Sequence, residues 1–144
     1  MRLSTAAHER LEKFLGEHLG EPGLCLPRIQ LHSGRGARLL TGALKVGAMT
    51  VGRHIFIAPR LLVRGEDGRL AAPGWLIAHE ATHVVQFGRE GFAGFLYKYL
   101  RGYFGALRQC GNWDAAARMT AYLAIAEECA AREAEHAYRK WTER

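Results

Sequence analysis

Residues 75–87 constrain the fold more than any other part of the chain, because this apolar segment carries three ionisable side chains. Its apolar residues recur at helical spacing, and they are Leu76, Ile77, Ala78, Ala81, Val84 and Val85. This pattern predicts a buried α-helix. The same helix contains His79, Glu80 and His83. Burying such groups costs free energy unless they are paired or bind a metal ion, so the fold must bring partners to this helix.

The spacing of these three residues is typical of a zinc site. Residues four apart on an α-helix lie on one face, so the imidazoles of His79 and His83 can reach one common position. Imidazole nitrogens are ordinary ligands of zinc. Glu80 stands beside the first ligand, where a carboxylate can exchange a proton with a water held by the metal. The pattern therefore predicts Zn²⁺ as cofactor and Glu80 as the catalytic base and acid of a metallopeptidase.

A third zinc ligand is expected elsewhere in the chain, because catalytic zinc commonly takes three protein ligands and keeps one open position. No histidine follows at a short spacing downstream of His83, so a glutamate of the alanine-rich C-terminal segment is the natural candidate. Glu127 and Glu128 have mostly small and apolar helical neighbours. Glu133 and Glu135 have more polar neighbours, and we expect both in solvent. Periodicity leaves both Glu127 and Glu128 open.

The remaining periodicities indicate an α+β fold that is mostly helical. Helices are predicted at residues 4–19, 35–44, 75–87 and 113–141, and short strands at 29–31, 48–51 and 54–57. Neither an internal repeat nor a linker is visible, so we expect residues 1–144 to form a single domain. We expect the small β-sheet to lie beside the helix that carries the histidines.

Composition argues against several classes of protein. The chain has 20 Lys and Arg against 14 Asp and Glu, a net charge of +6, but the basic residues are scattered and no nucleic-acid motif is present. We therefore expect no nucleic-acid partner. Cys25, Cys110 and Cys129 lie far apart, which argues against a disulfide framework. The first 20 residues lack the apolar stretch of a secretory signal, so we expect a cytoplasmic protein, with export without a cleaved signal left open.

An aromatic, glycine-spaced segment follows the predicted zinc helix at residues 87–104. Together with Lys98 and Arg101 it could lie on a membrane surface. We favour an element that covers the active-site cleft and turns its rings inward. No run of the sequence is long and apolar enough for stable membrane insertion.

Residues 78–86, Ala-His-Glu-Ala-Thr-His-Val-Val-Gln, resemble the His-Glu-Leu-Thr-His-Val-Val-Gln core of a family of small bacterial zinc metallopeptidase-like domains. This domain of unknown function is of the gluzincin-like zincin type. Leu-His-Ser-Gly at 31–34 and Thr-Val-Gly-Arg-His-Ile-Phe at 50–56 are similar to the segments that precede the zinc helix in that family. The resemblance implies a minimal zincin-like domain that acts on a peptide or protein substrate. It also implies that residues 51–57 supply an edge strand that aligns the substrate, with a plain core strand as the alternative.

Residues 121–132 are similar to the segment in which related proteins carry their glutamate ligand, often as Glu-x-Glu-Ala. Aligning Ala131 with that alanine makes Glu128 the third ligand. The chain departs from the family pattern at Ala130, where an acidic residue is usual. It departs again at Arg132, where many gluzincins have a carboxylate that orients a zinc histidine.

Two hypotheses follow. In the first, the protein is a zinc endopeptidase with His79, His83 and Glu128 as metal ligands and Glu80 as the catalytic residue. In the second, it is a non-catalytic zinc-binding scaffold or an accessory module of a secretion or toxin system. The presence of Glu80 favours the enzyme, because a purely structural site needs no base. A tyrosine would assist the oxyanion, and the candidates are Tyr122, Tyr97, Tyr99 and Tyr103.

Overall fold

The computed structural model describes residues 3–64 and 70–143, and it confirms a mostly helical α+β fold with a small sheet. The helices of the described chain are α1 (Thr5–Leu19), α2 (Arg35–Ala43), α3 (Gly74–Cys110), α4 (Ala115–Leu123) and α5 (Ala126–Thr142). Its strands are β1 (Gln30–His32), β2 (Ala48–Val51), β3 (His54–Ile57), β4 (Val63–Arg64) and β5 (Leu70–Ala71), with a 3₁₀ turn at Pro59–Leu61. The first two predicted helices and the three predicted strands agree with these bounds to within a residue or two.

Helix α3 combines the predicted zinc helix with the aromatic segment that follows it. The two parts meet at Gly91, whose φ of 69° and ψ of 170° are not helical. Glycine adopts this conformation without a steric penalty, so the helix can bend there and resume. We call residues 74–90 the first half of α3 and residues 92–110 its second half.

The single C-terminal helix predicted at residues 113–141 is wrong, because the chain forms α4 and α5 with a break at Ala124 and Ile125. Ile125 is extended, with φ of −64° and ψ of 127°, and its side chain is fully buried. The alanine-rich sequence contains no helix breaker, so local propensity does not reveal this turn. Burial of Ile125 near Gly102 of α3 accompanies the break.

The three-stranded sheet has the order β1-β3-β2, with β1 parallel and β2 antiparallel to β3. The prediction of an edge strand at residues 51–57 is therefore wrong: β3 lies in the centre, and β2 forms the edge. The order of the strands depends on where the connection through α2 returns the chain to the sheet. The alternation of apolar and polar residues within a strand carries no information about this order. Thr50 of β2 connects this edge to α3, since its single hydroxyl proton is shared between the carbonyl oxygen of Glu80 at 3.1 Å and the carboxylate of Glu80 at 2.7 Å.

The first half of α3 is held between the sheet and helices α1 and α5. Its buried side chains join those of α1, β1 and β3 in one core, to which α3 contributes Leu76, Ile77, Ala78, Ala81, Val84 and Val85. Phe14 of α1 packs edge-on against Tyr138 of α5, with ring centroids 5.0 Å apart. These contacts fix α5 against the core, and they place its first turn beside the histidines of α3.

Candidate metal centre

His79, His83 and Glu128 converge in the structure. Each offers one ligand atom, and the three atoms lie within 4.8 Å of one another. His79 Nε2 is 3.5 Å from Glu128 Oε2, and His83 Nε2 is 3.5 Å from Glu128 Oε1. Two ligands that bind one tetrahedral zinc ion at its usual bond lengths stand roughly 3.3–3.6 Å apart. The donor set and its spacing can therefore hold a metal ion such as zinc.

The break between α4 and α5 places the third member of this group. Glu128 lies in the first turn of α5, three residues after the extended Ile125. Its side chain is buried at 4% exposure, whereas Glu127 is half-buried and lies outside the converging group. Of the two glutamates that periodicity leaves open, the structure brings Glu128 to the histidines.

Each histidine has an acceptor on the side away from Glu128. His83 Nδ1 is 2.8 Å from Oε1 of Gln86, and His79 Nδ1 is 3.4 Å from Oε2 of Glu135. The hydrogen bond with Gln86 favours the tautomer of His83 with the proton on Nδ1, which leaves its Nε2 lone pair facing the carboxylate of Glu128; the contact of His79 Nδ1 with Glu135 is a longer ion-pair distance. A nitrogen lone pair and a carboxylate that face one another repel, and a cation between them removes this repulsion.

The expectation that Glu135 lies in solvent is wrong. Its side chain is only 19% exposed, and it lies between His79 and Arg139, whose Nη2 donates to Glu135 Oε1 at 2.9 Å. The guanidinium of Arg139 stacks in turn over the ring of Trp75 at 4.3 Å. Glu135 follows Glu128 by seven residues, or two helical turns, so a search at that spacing would have found it.

The ionisation of the centre follows from this packing. Burial raises the pKa of Glu128, but the two histidines and Tyr122 outweigh burial and hold the pKa well below its usual range. Burial alone would lower the pKa of His83, but the pKa is raised overall because Glu128 faces the ring. The carboxylate is therefore ionised, and its charge is neutralised either by a metal ion or by a proton on His83.

Two tyrosines complete the environment of Glu128. Tyr99 OH donates to Oε1 at 2.9 Å, and Tyr122 OH donates to Oε2 at 2.8 Å. Burial, reinforced by the charge of Glu128, raises the pKa of both phenols, so both remain donors. Among the other tyrosines considered from the sequence, Tyr103 lines the adjoining cavity and Tyr97 is 65% exposed.

Glu80 is buried at 4% exposure and lines the same cavity as the converging ligands. Thr50 Oγ1 donates a hydrogen bond to its Oε2 at 2.7 Å and fixes the carboxylate. Burial raises the pKa of Glu80, although His83 and the hydrogen bond from Thr50 oppose this shift. A carboxylate with a raised pKa is a stronger proton acceptor, which suits acid–base chemistry near neutral pH.

Residues 2–91 match the sequence model of the eCIS core domain, where eCIS stands for extracellular contractile injection system. The match covers more than half of the chain. This protein belongs to the eCIS core domain family. Within the matched residues lie His79, Glu80 and His83, whereas Glu128 lies beyond them. No curated protein and no solved structure matches the chain, and membership of a zincin peptidase family stays a prediction.

The second half of α3 covers the centre of this eCIS core domain only in part. Phe95 is buried and stacks on Phe87 with centroids 4.0 Å apart. Phe92 and Phe104 are 60% and 47% exposed, so the expectation that all the rings turn inward is wrong. Phe92 nevertheless borders the cavity beside the centre, whereas Phe104 does not line it. Among the described residues, no helix is long and apolar enough to cross a bilayer.

Proposed function

We propose that this eCIS core domain is a zinc-dependent metallopeptidase that hydrolyses peptide bonds. The observation that carries the proposal is the buried convergence of His79 Nε2, His83 Nε2 and the Glu128 carboxylate beside a buried Glu80. A zinc ion held by the first three residues would supply a Lewis acid and would lower the pKa of a coordinated water.

The residues around this centre support distinct roles. Thr50 engages Oε2 of Glu80, so we assign Oε1 as the oxygen that accepts a proton from the attacking water and returns it to the leaving amine. Tyr99 and Tyr122 each donate their one phenolic proton to Glu128, so a phenol that assists the developing oxyanion would turn its O–H away from this carboxylate.

Strand β2 supports a role in orienting the substrate. It is the edge of the three-stranded sheet, it lines the cavity, and Thr50 ties it to Glu80. An extended peptide can add to such an edge through its backbone. These features support alignment of the substrate along β2 rather than along β3.

The family membership favours a second function. An eCIS core domain suggests a module of an injection system, in which a zinc-bound or metal-free centre would hold the fold together without turnover. The two functions differ at Glu80, because a scaffold does not need a buried base with a raised pKa next to the metal ligands.

The test compares the wild-type protein with Glu80→Gln. We expect about one zinc per chain in both proteins by elemental analysis, because Gln retains the shape of the side chain and Glu80 is not among the converging ligands. Cleavage of a denatured protein should fall by roughly 10²–10⁴-fold in Glu80→Gln, the usual contribution of a general acid–base group. Glu133→Gln, at an exposed position of α5, is the control and should cleave as the wild type does. Equal inactivity of the wild type and Glu80→Gln would favour the scaffold.

A further inference from the structure

A cavity of about 630 Å³ opens directly beside Glu80 and the converging ligands. It is walled by the edge strand β2 and by the second half of α3. Apart from the residues of the centre and Thr50, its lining is apolar or aromatic: Leu44, Val46, Ala48, Met49, Val51, Phe87, Phe92, Phe95, Leu96, Tyr99, Leu100, Tyr103 and Tyr122. A cavity of this size is large enough for several side chains of a bound peptide.

The charge of the cavity contrasts with that of the whole chain. The chain has a net charge of +6, yet no Lys or Arg is among the described residues that line the cavity. Its carboxylates are those of Glu80 and Glu128. Along the apolar wall away from the metal ligands, an acidic side chain would lose its hydration without meeting a Lys or Arg, so this part of the cavity disfavours acidic residues.

The apolar lining continues to the surface along one face of α3. Phe92, Leu96 and Leu100 are spaced by four residues and are 60%, 41% and 42% exposed, respectively. Exposed apolar residues that adjoin a cavity are typical of a binding groove. The stripe spans about 12 Å at the helical rise, which corresponds to about four residues of an extended peptide.

Strand β2 defines how a peptide would present its side chains to this wall. A peptide that adds to a free edge is extended, and its successive side chains point to opposite sides. Only side chains two residues apart can therefore enter the cavity together, and about four residues provide two of them. The centre lies in the same cavity, so the bound segment would pass the groups assigned to hydrolysis.

We propose that the substrate of this site is an extended peptide segment with two large aliphatic or aromatic side chains, two residues apart, and without acidic residues beside them. This inference rests on the proposed function, since it names the substrate class of the same site. Peptide binding and peptide cleavage test the two separately.

The experiment uses three peptides of one length in a Ser/Gln background. The spaced peptide has Leu and Phe two residues apart, and the second peptide has Leu and Phe adjacent. The third peptide has Asp in place of the Leu and Phe of the spaced peptide. Binding to the zinc-supplemented full chain carrying Glu80→Gln is measured by fluorescence anisotropy, and cleavage is measured with Glu80 intact. We expect the spaced peptide to bind at least about 10-fold more tightly than the other two, the lower end of the discrimination that an apolar pocket gives.

Matched variants assign the preference to the cavity. In the Glu80→Gln background, Leu96→Ser should weaken binding of the spaced peptide by about 10-fold, because Leu96 lines the cavity. Leu39→Ser makes the same substitution at a 71% exposed position of α2 and should leave binding unchanged. Leu100→Ser is the second cavity variant, to be used where circular dichroism shows that Leu96→Ser does not fold.

The possible outcomes are distinct. Equal binding of the three peptides, or full binding by both cavity variants, contradicts the inference; cleavage of all three peptides at the same rate would then leave the proposed function intact. Selective binding without cleavage by the wild type supports the inference and contradicts the proposed function. A membrane-docking face is the remaining alternative. If the protein sediments with vesicles of phosphatidylcholine and phosphatidylserine, if Leu96→Ser abolishes this sedimentation, and if the protein shows no preference among the peptides, the stripe binds membranes and the inference is overturned.

Discussion

Glu127 and Glu128 are adjacent and have similar neighbours in the sequence, but they differ in burial and in the groups that their side chains contact. The carboxylate of Glu128 faces both Nε2 atoms and two phenols, whereas Glu127 contributes its backbone oxygen, which accepts a hydrogen bond from Gln86 at 3.2 Å. Glu127 therefore supports the centre without its side chain. The same pair of residues offers a matched comparison for the third ligand.

We expect Glu128→Gln to lower the affinity for zinc by more than about 100-fold, since it removes the anionic member of the donor set. Glu127→Gln should change the affinity by less than about 3-fold, because the backbone oxygen that Gln86 contacts remains. Competition with a chromophoric chelator measures both affinities. A loss in Glu127→Gln as large as that in Glu128→Gln would show that the other glutamate binds the metal.

Glu135 gives a second comparison, because it contacts His79 Nδ1 and no other ligand of the centre. A carboxylate in this place orients the ring of a metal-binding histidine. Glu135→Ala should therefore weaken zinc binding by about 10–100-fold. Glu133→Ala, on the exposed side of α5, should leave it unchanged. Equal affinities in the two variants would mean that Glu135 serves only its ion pair with Arg139.

At the scale of elements, the bend at Gly91 determines where the second half of α3 lies. A Cβ at Gly91 would meet no heavy atom within 4 Å, and the same holds for Gly88 in the helix just before it. The two glycines differ in backbone conformation alone, because only Gly91 has a positive φ. Any difference in the free energy of unfolding between the alanine variants at these two positions therefore reflects the backbone conformation of Gly91.

We expect Gly91→Ala to lower the free energy of unfolding by about 1–3 kcal/mol, the usual cost of a side chain in this region of φ and ψ. Gly88→Ala should raise it by about 0.5–1 kcal/mol, because alanine favours the helix over glycine. Urea denaturation measures both values. Equal changes in the two variants would contradict a bend that requires glycine.

The sequence predicts those features of the fold that depend on residues within a few positions of one another. His79 and His83 could be assigned to one helical face because their spacing and the apolar residues around them repeat within two turns. The break at Ile125 could not be predicted, since no glycine or proline marks it and burial decides it. The place of β3 at the centre of the sheet also escapes local patterns, because it depends on which strands pair. Tyr99 reaches Glu128 only because α3 continues beyond Gly91.

At the scale of the whole molecule, the candidate metal centre joins parts of the chain that are far apart in sequence. The match to the eCIS core domain ends at residue 91 and includes both histidines, while Glu128 comes from α5. Helix α5 also contacts α1 through Tyr138 and Trp141, which pack on Phe14. A cation at the centre would thus link the matched region to the C-terminal helices, and its removal should affect the stability of the whole fold.

Removal of zinc provides this last test. A ligand that binds only the folded chain stabilises it by about 2.7 kcal/mol at a concentration 100 times its Kd, so we expect a chelator to lower the Tm of the zinc-loaded protein by roughly 10 °C. The Glu128→Gln variant should show little change with the chelator, because the link between α3 and α5 is already broken. Differential scanning calorimetry at constant protein concentration makes both comparisons. An unchanged Tm in the wild type would mean that a proton on His83, rather than a metal ion, neutralises Glu128 in the folded protein.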